Sequence, residues 1–216
     1  MTNASERPIR LAVLISGGGR TLLNLLDKIS AGELHASVMA VISSKAGVRG
    51  LEIADRAGIP SAVVHRSAFG SDAEFSAGIY RAIETAKPDL IICAGFLKRL
   101  VVPTEWDNRI LNIHPALIPE SNAAGVGFYG DRVHQAVIDS GTAMTGATVH
   151  VVDNEYDHGP VVLKQAIAVR PGEHAGELGA RVFEVECTLF PRAIQAHIAA
   201  NPHLLGRAAG CREQVN

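Results

Sequence analysis

Ile9-Arg10-Leu11-Ala12-Val13-Leu14-Ile15-Ser16-Gly17-Gly18-Gly19-Arg20-Thr21-Leu22 joins an apolar run, a glycine turn and the opening of a helix. The run 9–15 suits a buried strand, because a strand covered on both faces needs no polar alternation. Beyond the turn, Leu22, Leu23, Leu25, Leu26 and Ile29 recur at helical spacing.

The same alternation continues outward. Residues 37–43 read as a strand, 48–57 as a helix ending at Gly58, 62–64 as a strand, 72–86 as a helix and 89–94 as a strand. Gly58 followed by Pro60, and Lys87-Pro88, are helix stops that lead into the next strands. Three such units predict helices packed on both sides of a mostly parallel sheet. Further on come strand character over 109–113, a helix over 131–138 stopping at Gly141, strands over 148–152 and 161–169, and a closing helix over 173–200. No linker, repeat or low-complexity tract divides the chain. The expected fold is α/β, Rossmann-like and doubly wound, a single domain over 9–200 with a flexible N-terminus (1–8) and a C-terminal tail (201–216).

Composition narrows the functional classes. At 216 residues with 47% hydrophobic and 19% charged residues, the chain is that of an ordinary globular domain. No apolar run approaches a membrane span. The formal net charge is −2 and the basic residues are scattered, which argues against a nucleic-acid footprint. Cys93, Cys187 and Cys211 show no C-x-x-C spacing, so neither a disulfide framework nor a zinc cage is indicated. His134, His150 and His158 likewise lack metal-ligand spacing with His114. The N-terminus has no signal-peptide pattern, so a cytoplasmic protein is expected.

Two segments carry chemistry. In Leu111-Asn112-Ile113-His114-Pro115 an extended chain puts Asn112 and His114 on one face, and Pro115 and Pro119 stiffen the exit. The second, Val152-Asp153-Asn154-Glu155-Tyr156-Asp157-His158-Gly159-Pro160, lies between two strands and offers Asp157. Acyl transfer needs a donor for the oxygen that becomes negative, a group that moves a proton and a partner that holds that group. Asn, His and Asp suit those jobs, although these segments alone also fit a capped turn, a core histidine and a solvated loop. The glycine turn, where free N–H groups and a helix dipole favour a phosphate, is neither an intact dinucleotide fingerprint nor a Walker loop.

With the glycine turn, Asn112-x-His114-Pro115 and Asp157-x-Gly159-Pro160 in that order, residues 10–200 resemble the phosphoribosylglycinamide formyltransferases, folate-dependent enzymes of purine synthesis. The resemblance implies transfer of a formyl group from 10-formyltetrahydrofolate to the amine of glycinamide ribonucleotide, with no metal. Gly19, Arg20 and Thr21 would hold the phosphate through backbone amides, and Glu186 would contact the ribose. Asn112 would donate to the formyl oxygen, His114 would stabilise the intermediate and pass a proton, and Asp157 would raise the pKa of His114. Leu97, Lys98, Arg99 and Leu100 would line the pteridine pocket, with Asn112 also on the folate side. The implied partners are these small molecules alone, with neither nucleic acid nor membrane, the enzyme being a monomer or homodimer.

The chain departs from the family at several places. Members often have Ser-Asn where Arg20-Thr21 stands, though threonine can still cap the helix. The loop 120–129, read as a possible substrate cover, carries Glu120 and a longer Gly125-to-Gly130 segment. Asp72 stands where relatives can place an arginine for the folate tail, for which Arg66 is a candidate substitute. Trp106, His134 and the cluster Phe183, Val185, Leu189 and Phe190 read as structural. His150 backs the site or is a satisfied core histidine, and is left out of catalysis. The catalytic residues alone also fit a 10-formyltetrahydrofolate hydrolase. A methionyl-tRNA formyltransferase, a non-catalytic folate or sugar-phosphate binder, and an NADP-dependent reductase using Ser43, Ser44 and Lys45 fit less of the pattern.

Overall fold

The computed structural model describes residues 7–119, 125 and 130–206. One seven-stranded sheet forms the centre, in the order β3-β2-β1-β4-β5-β6-β7. The strands are β1 (Ile9–Ile15), β2 (Ala36–Ser43), β3 (Ser61–Val63), β4 (Leu90–Cys93), β5 (Ile110–His114), β6 (Met144–Val151) and β7 (Val161–Ala168). All neighbouring pairs from β3 to β5 are parallel, and only β6 runs against its neighbours. The helices are α1 (Arg20–Ser30), α2 (Arg49–Arg56), α3 (Asp72–Ile83), α4 (Asp131–Asp139) and α5 (Ala175–Ala200). The expected doubly wound α/β domain is the one observed.

Strand alternation sorts β1 onto two cores. Leu11, Val13 and Ile15 join Leu22 and Leu25 of α1, Ala54 of α2, Val133 of α4 and Phe190 of α5. Ala12 and Leu14 point the other way, to Phe75, Ile79 and Ile83 of α3 and to Trp106. Both faces are therefore covered, which is why 9–15 is an unbroken apolar run. The predicted helix 72–86 divides at its end: α3 stops at Ile83 after starting with a Ser71–Glu74 capping box, and a 3₁₀ turn, Glu84–Ala86, follows. Lys87, left-handed at φ 43°, and Pro88 then prevent helical continuation.

The chain ends are less free than the sequence suggested. Arg7 makes two 2.8 Å hydrogen bonds to Asp89, whose carboxylate also accepts from the backbone N–H of Arg10 and Gly206. Leu204 is buried, and its carbonyl accepts from Arg109. Residues 201–206 thus pack on the core, because Asp89 and Arg109 need partners there. The rest of the expected tail, 207–216, the first six residues, and Glu120 with most of the 120–129 loop lie outside the described residues.

Sheet order fixes the site. Chain order reverses between β1 and β4, so the loops leaving these strands diverge and open a crevice at their C-terminal ends. Ser16 ties the crevice together: its hydroxyl accepts from the N–H of Leu97 at 3.0 Å and lies 2.7 Å from the Ser44 hydroxyl.

Candidate active site

A cavity of about 630 Å³ occupies this crevice and is lined by every expected site residue: Gly19, Arg20, Thr21, Leu97, Lys98, Arg99, Leu100, Asn112, His114, Asp157 and Glu186. Asn112 and His114 end β5 and share a face, as the alternation predicted. The antiparallel register of β6 sets His150 opposite Asn112 and Thr148 opposite His114.

Asp157 is the junction of the cluster. Its Oδ2 lies 3.4 Å from His114 Nδ1 and accepts from the Gly125 N–H at 2.9 Å. Its Oδ1 lies 3.6 Å from His150 Nε2 and 3.5 Å from Asn112 Nδ2. Burial acts to raise the Asp157 pKa, but the contact with His114 and the Gly125 N–H outweigh it and hold the carboxyl well below the usual carboxylate range. A permanently ionised acid faces the imidazole at neutral pH.

His150 is more than core filling. Its Nδ1 donates to the Val151 carbonyl at 3.0 Å, which leaves Nε2 to accept from Asn112 Nδ2 at 3.1 Å. One amide hydrogen of Asn112 is so fixed, and the other has only the long contact with Asp157. Only the strand register brings this partner in, so no local sequence signal could reveal it.

The loop bearing Asp157 is pinned at several points. Asn154 accepts at Oδ1 from the Val102 N–H at 2.9 Å, and its carbonyl accepts from Arg99 Nη2 at 3.0 Å. Asp157 itself is left-handed, φ 51°, a conformation that aspartate tolerates better than most residues. A Cβ on Gly159 would collide with the Val151 carbonyl oxygen, so the loop approaches β6 too closely for any other residue.

At the other end of the cavity, Gly19 is the N-cap of α1, left-handed at φ 71°, and no side chain caps the helix. The expected capping by Thr21 does not occur, because the cap position falls on a glycine. A Cβ on Gly19 would lie 2.6 Å from Gly50 Cα, which makes that glycine obligatory. Uncapped first-turn N–H groups facing a cavity favour an anion.

Glu186 shares this wall. Burial pushes its carboxyl up to about 7, against the opposing pull of Arg20 and His114. Phe183, expected in the core, is only partly buried; it lines the cavity beneath Arg20, while Leu189 and Phe190 are core as predicted. The helix turns its face between these positions. His134, read as structural, also reaches the cavity wall, where burial lowers its pKa and its Nδ1 has no hydrogen-bond partner among the described residues. Cys93 lines the cavity too, but burial pushes its thiol up to about 12, too high for a nucleophile.

On the wall formed by residues 97–100, the Leu97 N–H is engaged with Ser16, so main-chain contacts to a ligand must come from its neighbours. Asp72 pairs with Arg66 at 2.6 Å and lies 3.9 Å from Arg99 Nη1. Among the described residues no group of three or more His, Cys, Asp or Glu could hold a metal, and no helix is long and apolar enough to cross a membrane.

The formyl transferase family model matches residues 9–194. The chain belongs to the formyl transferase family. It is 35% identical over 188 residues to the phosphoribosylglycinamide formyltransferase of Haemophilus influenzae, covering 86% of this chain and 85% of that one. It is also 39% identical over 189 residues to the trifunctional purine biosynthetic protein adenosine-3 of Gallus gallus, covering 87% of this chain. The chain spans only 18% of that relative's length. The crystal structure of glycinamide ribonucleotide transformylase 1 from Symbiobacterium toebii matches with a TM-score of 0.80 at 32% identity, over 90% of this chain and 89% of that one. The family match covers both chemical segments and the glycine turn.

Proposed function

We propose that this chain is a cytoplasmic enzyme that transfers the formyl group of 10-formyltetrahydrofolate to the amine of glycinamide ribonucleotide in purine synthesis. The observation that carries this reading is the convergence of Asn112, His114 and Asp157 in one cavity that ends on the uncapped N-terminus of α1. Family membership supports the class of reaction, and the extent of the cavity from Asp157 to Gly19 supports room for two reactants.

The acceptor lies along α1 and α5, its phosphate on the N–H groups of Gly19, Arg20 and Thr21 and its ribose on Glu186. Folate enters beside Leu97, Lys98, Arg99 and Leu100. The acceptor amine attacks the formyl carbon, and the carbonyl oxygen gains negative charge. Asn112, its amide oriented by His150, donates a hydrogen to that oxygen. His114, oriented through Nδ1 by the ionised Asp157, stabilises the same charge as an imidazolium and passes a proton to the folate nitrogen as its bond to the formyl carbon breaks, while the proton that the acceptor nitrogen sheds on forming the new C–N bond returns, directly or through water, to the imidazole. The scheme moves only protons and the formyl group, and it asks for no metal. The domain that performs it is taken as 9–200, with the segments packed against Asp89 and Arg109 closing its base.

A hydrolase would use the same three residues with water as acceptor. Tetrahydrofolate release from 10-formyltetrahydrofolate, measured with and without glycinamide ribonucleotide, separates the two. Release that depends on the acceptor supports the transferase; release at the same rate without it overturns that reading.

A further inference from the structure

Arg20 opens α1 directly after the glycine turn, and its guanidinium carbon sits 4.3 Å from the centre of the Phe183 ring. The side chain is exposed and makes no hydrogen bond or ion pair among the described residues. A guanidinium carries five N–H donors in a rigid fork, so the aromatic face restrains the group while leaving its donors for a ligand. Phe183 comes from α5, which packs against α1, and both side chains line the cavity. Glu186 lies three residues further along the same helix, on the face it shares with Phe183.

A phosphate on backbone amides alone is held from one side, and phosphate oxygens pointing away from the helix need other donors. A planar fork matches two of them. We propose that the Arg20 guanidinium is a direct phosphate ligand and that Phe183 is its positioning residue, so that this pair, with Glu186 beyond it, selects a pentose 5-phosphate over the unphosphorylated sugar. The inference deepens the acceptor reading above and rests on it for the placement of the phosphate. It adds a side chain to a site otherwise built of main-chain groups, and it gives Phe183 a reason to stand on a cavity wall.

The test is calorimetric binding of ribose 5-phosphate and of ribose to the full chain, as wild type, Arg20→Gln, Phe183→Leu, Phe183→Tyr and the double variant Arg20→Gln/Phe183→Leu. Wild type binds the phosphate ester and discriminates against ribose. Arg20→Gln weakens the ester about tenfold or more, and Phe183→Leu weakens it roughly two- to fivefold. Phe183→Tyr, which keeps the ring face, restores near wild-type affinity. The double variant binds no more weakly than Arg20→Gln alone, because the ring acts only through the arginine. Multiplying losses in the double variant, unchanged affinity in Arg20→Gln, or no binding of ribose 5-phosphate to wild type would each overturn the proposal. If the binding pattern holds but no formyl transfer occurs, the phosphate site stands and the transferase reading falls. If transfer occurs and Arg20→Gln binds normally, only the role of Arg20 and Phe183 falls.

Discussion

His114 Nδ1 lies 3.4 Å from Asp157 Oδ2, and both side chains are almost fully buried although they come from segments more than 40 residues apart. The contact joins the end of β5 to a left-handed turn between β6 and β7. An ionised carboxylate in that position holds the imidazole's orientation.

Replacing the charge while keeping the shape isolates that effect. Asp157→Asn is expected to lower kcat by at least about 10²-fold while KM for the folate changes far less, since the loss falls on the transition state. Steady-state kinetics with both substrates varied will show the split; a rise in KM with unchanged kcat would mean that Asp157 serves binding.

His150 orients the Asn112 amide through a 3.1 Å contact. His150→Phe removes that acceptor at similar volume, so the amide turns more freely and kcat falls by roughly tenfold, less than for Asn112→Ala. Equal losses in the two variants would show that His150 does more than hold Asn112.

Gly159→Ala places a methyl group against the Val151 carbonyl oxygen. The loop must move away from β6 and carry Asp157 with it. A loss of activity of about 10²-fold is expected for a displacement near one ångström, accompanied by a lower Tm in thermal unfolding.

Two carboxylates give opposite pH dependences of stability. Asp89, held below its ordinary value by Arg7 and by backbone N–H groups despite burial, contributes stability that is present above the unfolded pKa and is lost as pH falls through the folded one. The acid limb of urea unfolding below about pH 4 should therefore flatten in Asp89→Asn, which costs about 1–3 kcal/mol at neutral pH. Glu186, raised to about 7 by burial, behaves in reverse: the folded state holds a proton that the unfolded state has released, so stability falls as pH rises from about 4.5 to 7. Glu186→Gln should remove that slope and be more stable than wild type at pH 8 by roughly 1–2 kcal/mol. A wild-type profile flat across that window would contradict the burial of Glu186.

The sequence carried the β-α units well, because buried strands such as Ile9–Ile15 and helix stops such as Gly58 and Lys87-Pro88 are local signals. It carried Asn112 and His114 for the same reason, through the two-residue period of a strand. Asp157 was legible as part of a motif, and its contact with His114 followed from the resemblance rather than from spacing. The partners that depend on distant packing were hidden. His150 meets Asn112 only through the β5–β6 register, and Phe183 faces the cavity only because α5 crosses α1. Thr21 failed as a cap because the cap position falls on Gly19, two residues earlier. The packing of Leu204 depends on Arg109, a residue far away in sequence.

The fate of an isotopically labelled formyl group tests the central claim most directly. With labelled 10-formyltetrahydrofolate and glycinamide ribonucleotide, the account predicts that nuclear magnetic resonance shows the label in a new formamide on the glycinamide nitrogen, formed by wild type and nearly abolished in Asp157→Asn. Label released as free formate, or left on the folate while both ligands bind, would contradict it.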